Sequence, residues 1–213
     1  MGKILCVIYD CDGVLFDSLE ANGRLYSDVC VSLGRSSPLT QEELHYVHSH
    51  TVYEAIQFIT RNDHDLEEKA RGILKQIDLR KYVRYLKMEP HLLETLSQLK
   101  ERRILRAVNT NRTTSMPYIM EDFKLGPYFD MVVTALDVKN PKPHPEPLLK
   151  ILEFFGLHAD EALFVGDSDL DRMASEAAGV PFVAYKAEMP CIARIDRHAD
   201  ILKLTGTTEG GRE

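Results

Sequence analysis

Two aspartates separated by one residue, Asp10-Cys11-Asp12-Gly13, follow directly on the apolar run of residues 3–9. A second acidic group, Gly166-Asp167-Ser168-Asp169-Leu170-Asp171, follows the apolar run of residues 162–165. Between them stand Asn109-Thr110-Asn111-Arg112, after a third apolar run, and Lys142 in the frame Asn140-Pro141-Lys142-Pro143-His144-Pro145. Carboxylates delivered to one place by distant segments repel strongly in a partly dry pocket unless a cation neutralises them. A hard cation with oxygen ligands, Mg²⁺, suits such a set. The proline-stiffened loop fixes one further positive charge, the Lys142 ammonium.

These residues need a scaffold that brings strand ends together. Residues 3–9 form a continuous β-branched apolar run, which reads as a strand buried on both faces. From about residue 90 onward, apolar runs (104–108, 131–134, 162–165, 180–185) alternate with amphipathic stretches (92–102, 114–124, Glu146–Phe155, 169–178). Alternation of that kind predicts an α/β fold with a mostly parallel, Rossmann-like sheet. In such sheets ligands sit outside the carboxyl ends of the strands, where the polar groups above lie. Residues 18–87 carry helical periodicity instead: Leu44, Val47, Thr51 and then Ala55, Ile56, Ile59 recur at three- and four-residue steps. Thr40 with Glu43 reads as a capping box. The domain expectation is therefore a core of residues 1–16 and 88–204, an all-helical insertion of residues 17–87, and a frayed tail of residues 205–213.

The chain has 213 residues, enough for one ordinary core with an inserted unit. Its formal charge of −7 argues against nucleic acid or an anionic membrane as partner. Ile4 to Tyr9 is far shorter than the roughly 18 residues of a membrane span, and it lacks the shape of a secretory signal. Four scattered cysteines, Cys6, Cys11, Cys30 and Cys191, form no C-x-x-C pair and read as reduced thiols. A cytoplasmic protein is expected. His45 and His48 share a helix face, but His50 does not, and neither cysteine nor a second carboxylate set lies nearby, which weighs against zinc.

DCDGVLFDS, the threonine after the second core strand, the lysine in KPHPEPLL and GDSDLD together resemble the four motifs of the haloacid dehalogenase superfamily. The insertion resembles that family's helical C1-type cap, and the nearest members are those similar to phosphoglycolate phosphatases and β-phosphoglucomutases. The resemblance implies a Mg²⁺-dependent phosphatase acting on a small phosphomonoester metabolite. It implies Asp10 as nucleophile forming an aspartyl-phosphate and Asp12 as general acid–base. Thr110 and the Asn111 N–H would hold phosphate oxygens, with Lys142 balancing charge. Asp10, the Asp12 carbonyl and Asp167 would hold the metal, with Asp171 in support. Asp12 itself favours phosphoryl transfer, because a halide leaving group needs no proton. Asp169 and Asp171 also suit helix capping. In capped members the cap selects the substrate, which makes residues 47–53, with His48 and His50 where the family often has glycine, the candidate selector. Arg112 reads equally as a substrate contact or a helix-start residue. A phosphosugar mutase on the same scaffold and a non-catalytic receiver-like phosphate sensor stay open as alternatives. Oligomeric state, monomer or dimer, is left open too.

Overall fold

A computed structural model describes residues 2–206. It divides into two compact units: one made of the chain before Asp17 and after Lys87, the other Asp17–Lys87. In the first lie strands β1 (Cys6–Tyr9), β4 (Leu105–Asn109), β5 (Met131–Val133), β6 (Ala162–Gly166), β7 (Phe182–Tyr185) and β8 (Ala193–Ile195). Its helices are α6 (Leu92–Glu101), α7 (Met116–Asp122), α8 (Glu146–Phe155), α9 (Asp169–Ala178) and α10 (Ile201–Leu204). The second unit holds α1 (Leu19–Ser32), α2 (Gln41–Ser49), α3 (Val52–Thr60), α4 (His64–Gln76) and α5 (Arg80–Val83). Two-residue strands β2 (Phe16–Asp17) and β3 (Lys87–Met88) mark where the chain leaves the first unit and returns.

The six core strands form one parallel sheet in the order β5-β4-β1-β6-β7-β8. Tyr9 lies opposite Val108 on one side and Val165 on the other, so Asp10, Thr110 and Asp167 emerge from three adjacent strand ends. From β1 the chain goes to one side for β4 and to the other for β6, the reversal at which open sheets leave a crevice. Apolar residues on one face of the sheet, Cys6, Ile8, Ala107 and Phe164 among them, pack with Leu148, Ile151 and Leu152 of α8. Leu92, Leu96 and Leu99 of α6, spaced four and three apart, are fully buried, and each such leucine contributes about 1.5–3 kcal/mol by leaving water. The inserted unit has its own core, built around Tyr26, Val29, Val47, Ala55 and Ile56.

Several elements differ from the sequence expectation. Thr51 does not continue a helix: His50 is extended, and Thr51 caps α3 by accepting from the Glu54 amide while Glu54 reaches back to the Thr51 N–H. That capping box divides the periodic run into α2 and α3. The Thr40/Glu43 box is present at α2. β7 starts at Phe182 rather than 180, because the Val180 amide bonds to the Ser175 carbonyl and its own carbonyl accepts from the Ser175 hydroxyl; Pro181 has no amide hydrogen to offer. β8 and α10 were not expected. Thr205, assigned to the frayed tail, is buried and bonds to the Ile201 carbonyl; the tail from residue 207 lies outside the described residues. No described helix is long and apolar enough to cross a membrane.

His198, near the end of the described chain, is buried and donates from Nε2 to the Val14 carbonyl at 2.9 Å. Its ring stacks on Tyr185, with centroids 4.6 Å apart. Burial pushes the imidazole from 6.5 down to about 4, against the opposing pull of the Val14 bond and of Glu89, while Lys186 adds to the lowering. The neutral ring therefore stabilises the fold fully above pH 6.5, and that contribution is lost as pH falls from 6.5 towards 4. Over that window the loss amounts to about 3 kcal/mol. Urea unfolding at stepped pH checks this: the stability difference between native protein and His198→Phe shrinks as pH falls through the window. A pH-independent difference would contradict it.

Candidate active site

Asp10 follows β1 directly, its amide bonded to the Val165 carbonyl of β6. Asp10 is 7% exposed, and its carboxylate meets the Lys142 ammonium at 2.7 Å. Lys142 is itself buried and reaches Asp171 Oδ1 at 2.6 Å and the Asn109 carbonyl at 3.1 Å. The lysine loop is fastened by Asn111, whose side-chain amide donates to the Lys142 carbonyl (2.9 Å) and accepts from the Lys142 amide (3.1 Å). The sequence points to a role for the Asn111 N–H alone, whereas the structure adds this fastening role for its side chain.

Asp171 serves two structures at once. Its Oδ2 accepts from the Ser168 hydroxyl and amide and from the Asp167 amide, completing the capping box that starts α9. Its Oδ1 faces Lys142. Asp171 thus caps α9 and pairs with Lys142 at once. Asp169 instead points into an exposed pair with Arg172. Gly166 is needed because a Cβ there would collide with the Asp171 side chain, and Gly13, at φ +70°, because a Cβ would overlap the Asp167 carboxylate.

Asp12 stands apart from this group. Its carboxylate is gripped by Arg112, Nε to Oδ2 at 2.7 Å and NH2 to Oδ1 at 2.6 Å. The sequence does not choose between a substrate contact and a helix-start role for Arg112, since nothing local in the chain signals a partner 100 residues away. Thr110 is buried, and its hydroxyl oxygen accepts from the Arg112 amide at 3.1 Å. Cys11 is fully buried between the aspartates, where burial raises its thiol pKa well above the ordinary range. His48 lies with Nδ1 3.4 Å from the Asn22 amide, and the His50 ring stacks on Tyr46.

Among the described residues, Asp10, Asp167 and Asp171 bring carboxylate oxygens within 4.8 Å of one another. Burial, followed by the neighbouring charge of Asp171, pushes Asp10 from 3.8 up to about 7, although Lys142 pulls the other way. Burial, then Asp10 and Asp171, raise Asp167 well above the usual carboxylate range. Against burial, the carboxylates of Asp10 and Asp171 hold Lys142 above the ordinary lysine value. Three carboxylates face one ammonium, while Asp12 is already neutralised by Arg112. The shortfall of two positive charges, the all-oxygen donors and the close approach of Asp167 to Gly13 together fit a hard divalent cation.

Residues 7–185 match the family of haloacid dehalogenase-like hydrolases. The chain belongs to that family. It is similar to the HAD-superfamily hydrolase, subfamily IA, of Geobacter sulfurreducens, at 46% identity and a TM-score of 0.80, over 96% of this chain and 98% of that one. It is 39% identical to the phosphoglycolate phosphatase of Pectobacterium atrosepticum over 126 residues, 53% of this chain and 53% of that protein. With the phosphoglycolate phosphatase of Escherichia coli it shares 39% identity over 97 residues, 44% of this chain and 38% of the relative. The matched segments thus span about half, or less, of the length of these curated relatives.

Proposed function

We propose that this haloacid dehalogenase-like hydrolase is a Mg²⁺-dependent phosphatase that acts on a small phosphorylated metabolite, phosphoglycolate- or sugar-phosphate-like, through a phosphoryl group carried on Asp10. The observation that carries this reading is the buried Asp10 carboxylate at a central strand end, 2.7 Å from the Lys142 ammonium, with Asp12 two residues on. A buried anionic nucleophile next to a fixed cation suits attack on an anionic phosphorus. The names of the curated relatives support the phosphomonoester class.

Asp10 and Asp167, with the Asp12 backbone carbonyl, would hold Mg²⁺, and Asp171 supports them from its place between Lys142 and Ser168. Bound there, the ion supplies the positive charge that lets these carboxylates stay ionised beside a phosphate. In the first step Asp12, which takes up a proton as the anionic substrate arrives, gives it to the ester oxygen, while an Asp10 oxygen bonds to phosphorus and the bond from phosphorus to that ester oxygen breaks, releasing an alcohol. In the second, water attacks phosphorus, Asp12 takes the water's proton, and the Asp10–phosphorus bond breaks to give inorganic phosphate. Thr110 and the Asn111 N–H hold phosphate oxygens, and Lys142 balances charge through both steps. The unit Asp17–Lys87 acts as a substrate-selecting cap, with residues 47–53 as its selecting segment.

The test is phosphate release from a panel of monoesters, phosphoglycolate and sugar phosphates included, with Mg²⁺ and after its removal by chelation. Metal-dependent release is expected, lost on chelation and restored by Mg²⁺. An isomerised sugar phosphate without free phosphate would make the protein a mutase. A long-lived phosphoprotein without turnover would make it a sensor.

A further inference from the structure

Arg112 lies outside the roles assigned above, yet it is tied down more thoroughly than a surface arginine. Its amide donates to the Thr110 hydroxyl at 3.1 Å, its carbonyl accepts from the Ala135 amide at 3.1 Å, and NH1 donates to the buried Ser115 hydroxyl at 3.3 Å. The remaining edge of the guanidinium forms the two-point fork on Asp12. Arg112 follows β4 and Asp12 follows β1, neighbouring parallel strands, so the pair is braced from two sides. The Asp12 side chain keeps 28% of its surface, against 15% for Arg112, so the carboxylate is accessible although held.

We infer that Arg112 is a positioning residue that aims the Asp12 carboxylate at the leaving oxygen, and thereby fits this enzyme to alkyl phosphate esters, whose alcohols need a proton to depart. The inference rests on the phosphatase reading. A planar arginine fork fixes the plane of a carboxylate, whereas a lysine holds it at one point and leaves it free to rotate. In the step served, the bond from phosphorus to the alkyl oxygen breaks, its electron pair stays on that oxygen, and the Asp12 proton moves to it.

The experiment compares kcat/KM for the best alkyl ester of the panel with that for p-nitrophenyl phosphate, in the native protein and in Arg112→Lys, which keeps the charge and loses the fork. This ratio reports steps up to departure of the alcohol and leaves out the later attack of water. The alkyl ester is expected to lose on the order of 100-fold and the aryl ester less than about threefold, since nitrophenolate leaves without a proton. Asp12→Asn should show the same split. Should Arg112→Lys fold poorly by thermal melt, Arg112→Ala with added guanidinium replaces it, and rescue should favour the alkyl ester. Equal losses on both esters, or none on either, would overturn the inference, because an arginine serving the phosphate or the fold does not distinguish leaving groups. Failure of the phosphatase reading looks different: the native protein would release phosphate from neither ester, or Asp10→Asn would retain activity.

Discussion

Asp10→Asn is expected to lower phosphate release by on the order of 10⁴-fold or more, since a nucleophile that forms the covalent intermediate has no substitute in the site. The amide is nearly isosteric, and the backbone bond from Asp10 to Val165 does not involve the side chain, so the fold should survive. The variant also removes one of three mutually repelling carboxylates, and its stability without metal should equal or exceed that of the native protein. Activity assays paired with thermal melts in chelator check both halves. A folded Asp10→Asn protein with substantial metal-dependent turnover would remove Asp10 from the role proposed for it.

Lys142→Met should have the largest effect on stability. Lys142 is the common partner of Asp10 and Asp171, all three buried, and removing one member of a buried ion cluster costs about 3–5 kcal/mol. The cost depends on pH in a defined direction. Asp10 already titrates near 7 when folded, against 3.8 ordinarily, so the native state binds more protons than the unfolded state between those values. Stability from this group is greatest below about pH 4 and falls as pH rises towards 7. Without the lysine the folded value rises further, so the deficit of Lys142→Met relative to the native protein should be larger at pH 8 than at pH 5, where the pairing lost is chiefly that with Asp171. Phosphate release should fall on the order of 10²- to 10³-fold at neutral pH, the range for losing one fixed charge-stabilising donor. Urea unfolding in chelator at the two pH values decides the stability claim; an equal deficit at both would reduce Lys142 to a packing role.

The parts of this molecule that could be read from sequence are those encoded locally. Continuous apolar runs followed by acid or amide residues mark most strands of the parallel sheet and the ends after which Asp10, Thr110 and Asp167 stand, and the capping box at Thr40 is a pattern four residues long. Helix α8 agrees with its expected bounds because its apolar spacing and its stop at Gly156 are both local. What sequence missed is long-range or short in length. The division at Thr51 was hidden because apolar periodicity runs through a residue that caps rather than continues a helix. β8 is three residues long at the sheet edge, with Arg194 exposed in its middle, too little for an alternating pattern to register. In the site, the Asn111 side chain fastens a loop 31 residues away and Arg112 holds a carboxylate 100 residues away, and in the fold His198 supports a turn 184 residues away. Such pairings depend on strand order, and strand order is a property of the folded sheet.

The most direct measurement of the central claim uses Asp12→Asn with p-nitrophenyl phosphate and Mg²⁺. Transfer of phosphorus to Asp10 needs no acid with this ester, but the second step lacks the base that activates water, so a phosphoryl group should accumulate. After acid quenching, peptide mass spectrometry is expected to find it on the peptide containing Asp10, labile to hydroxylamine as an acyl phosphate is. A phosphoryl group on any other residue, or none while the native protein releases phosphate from the same ester, would contradict the account.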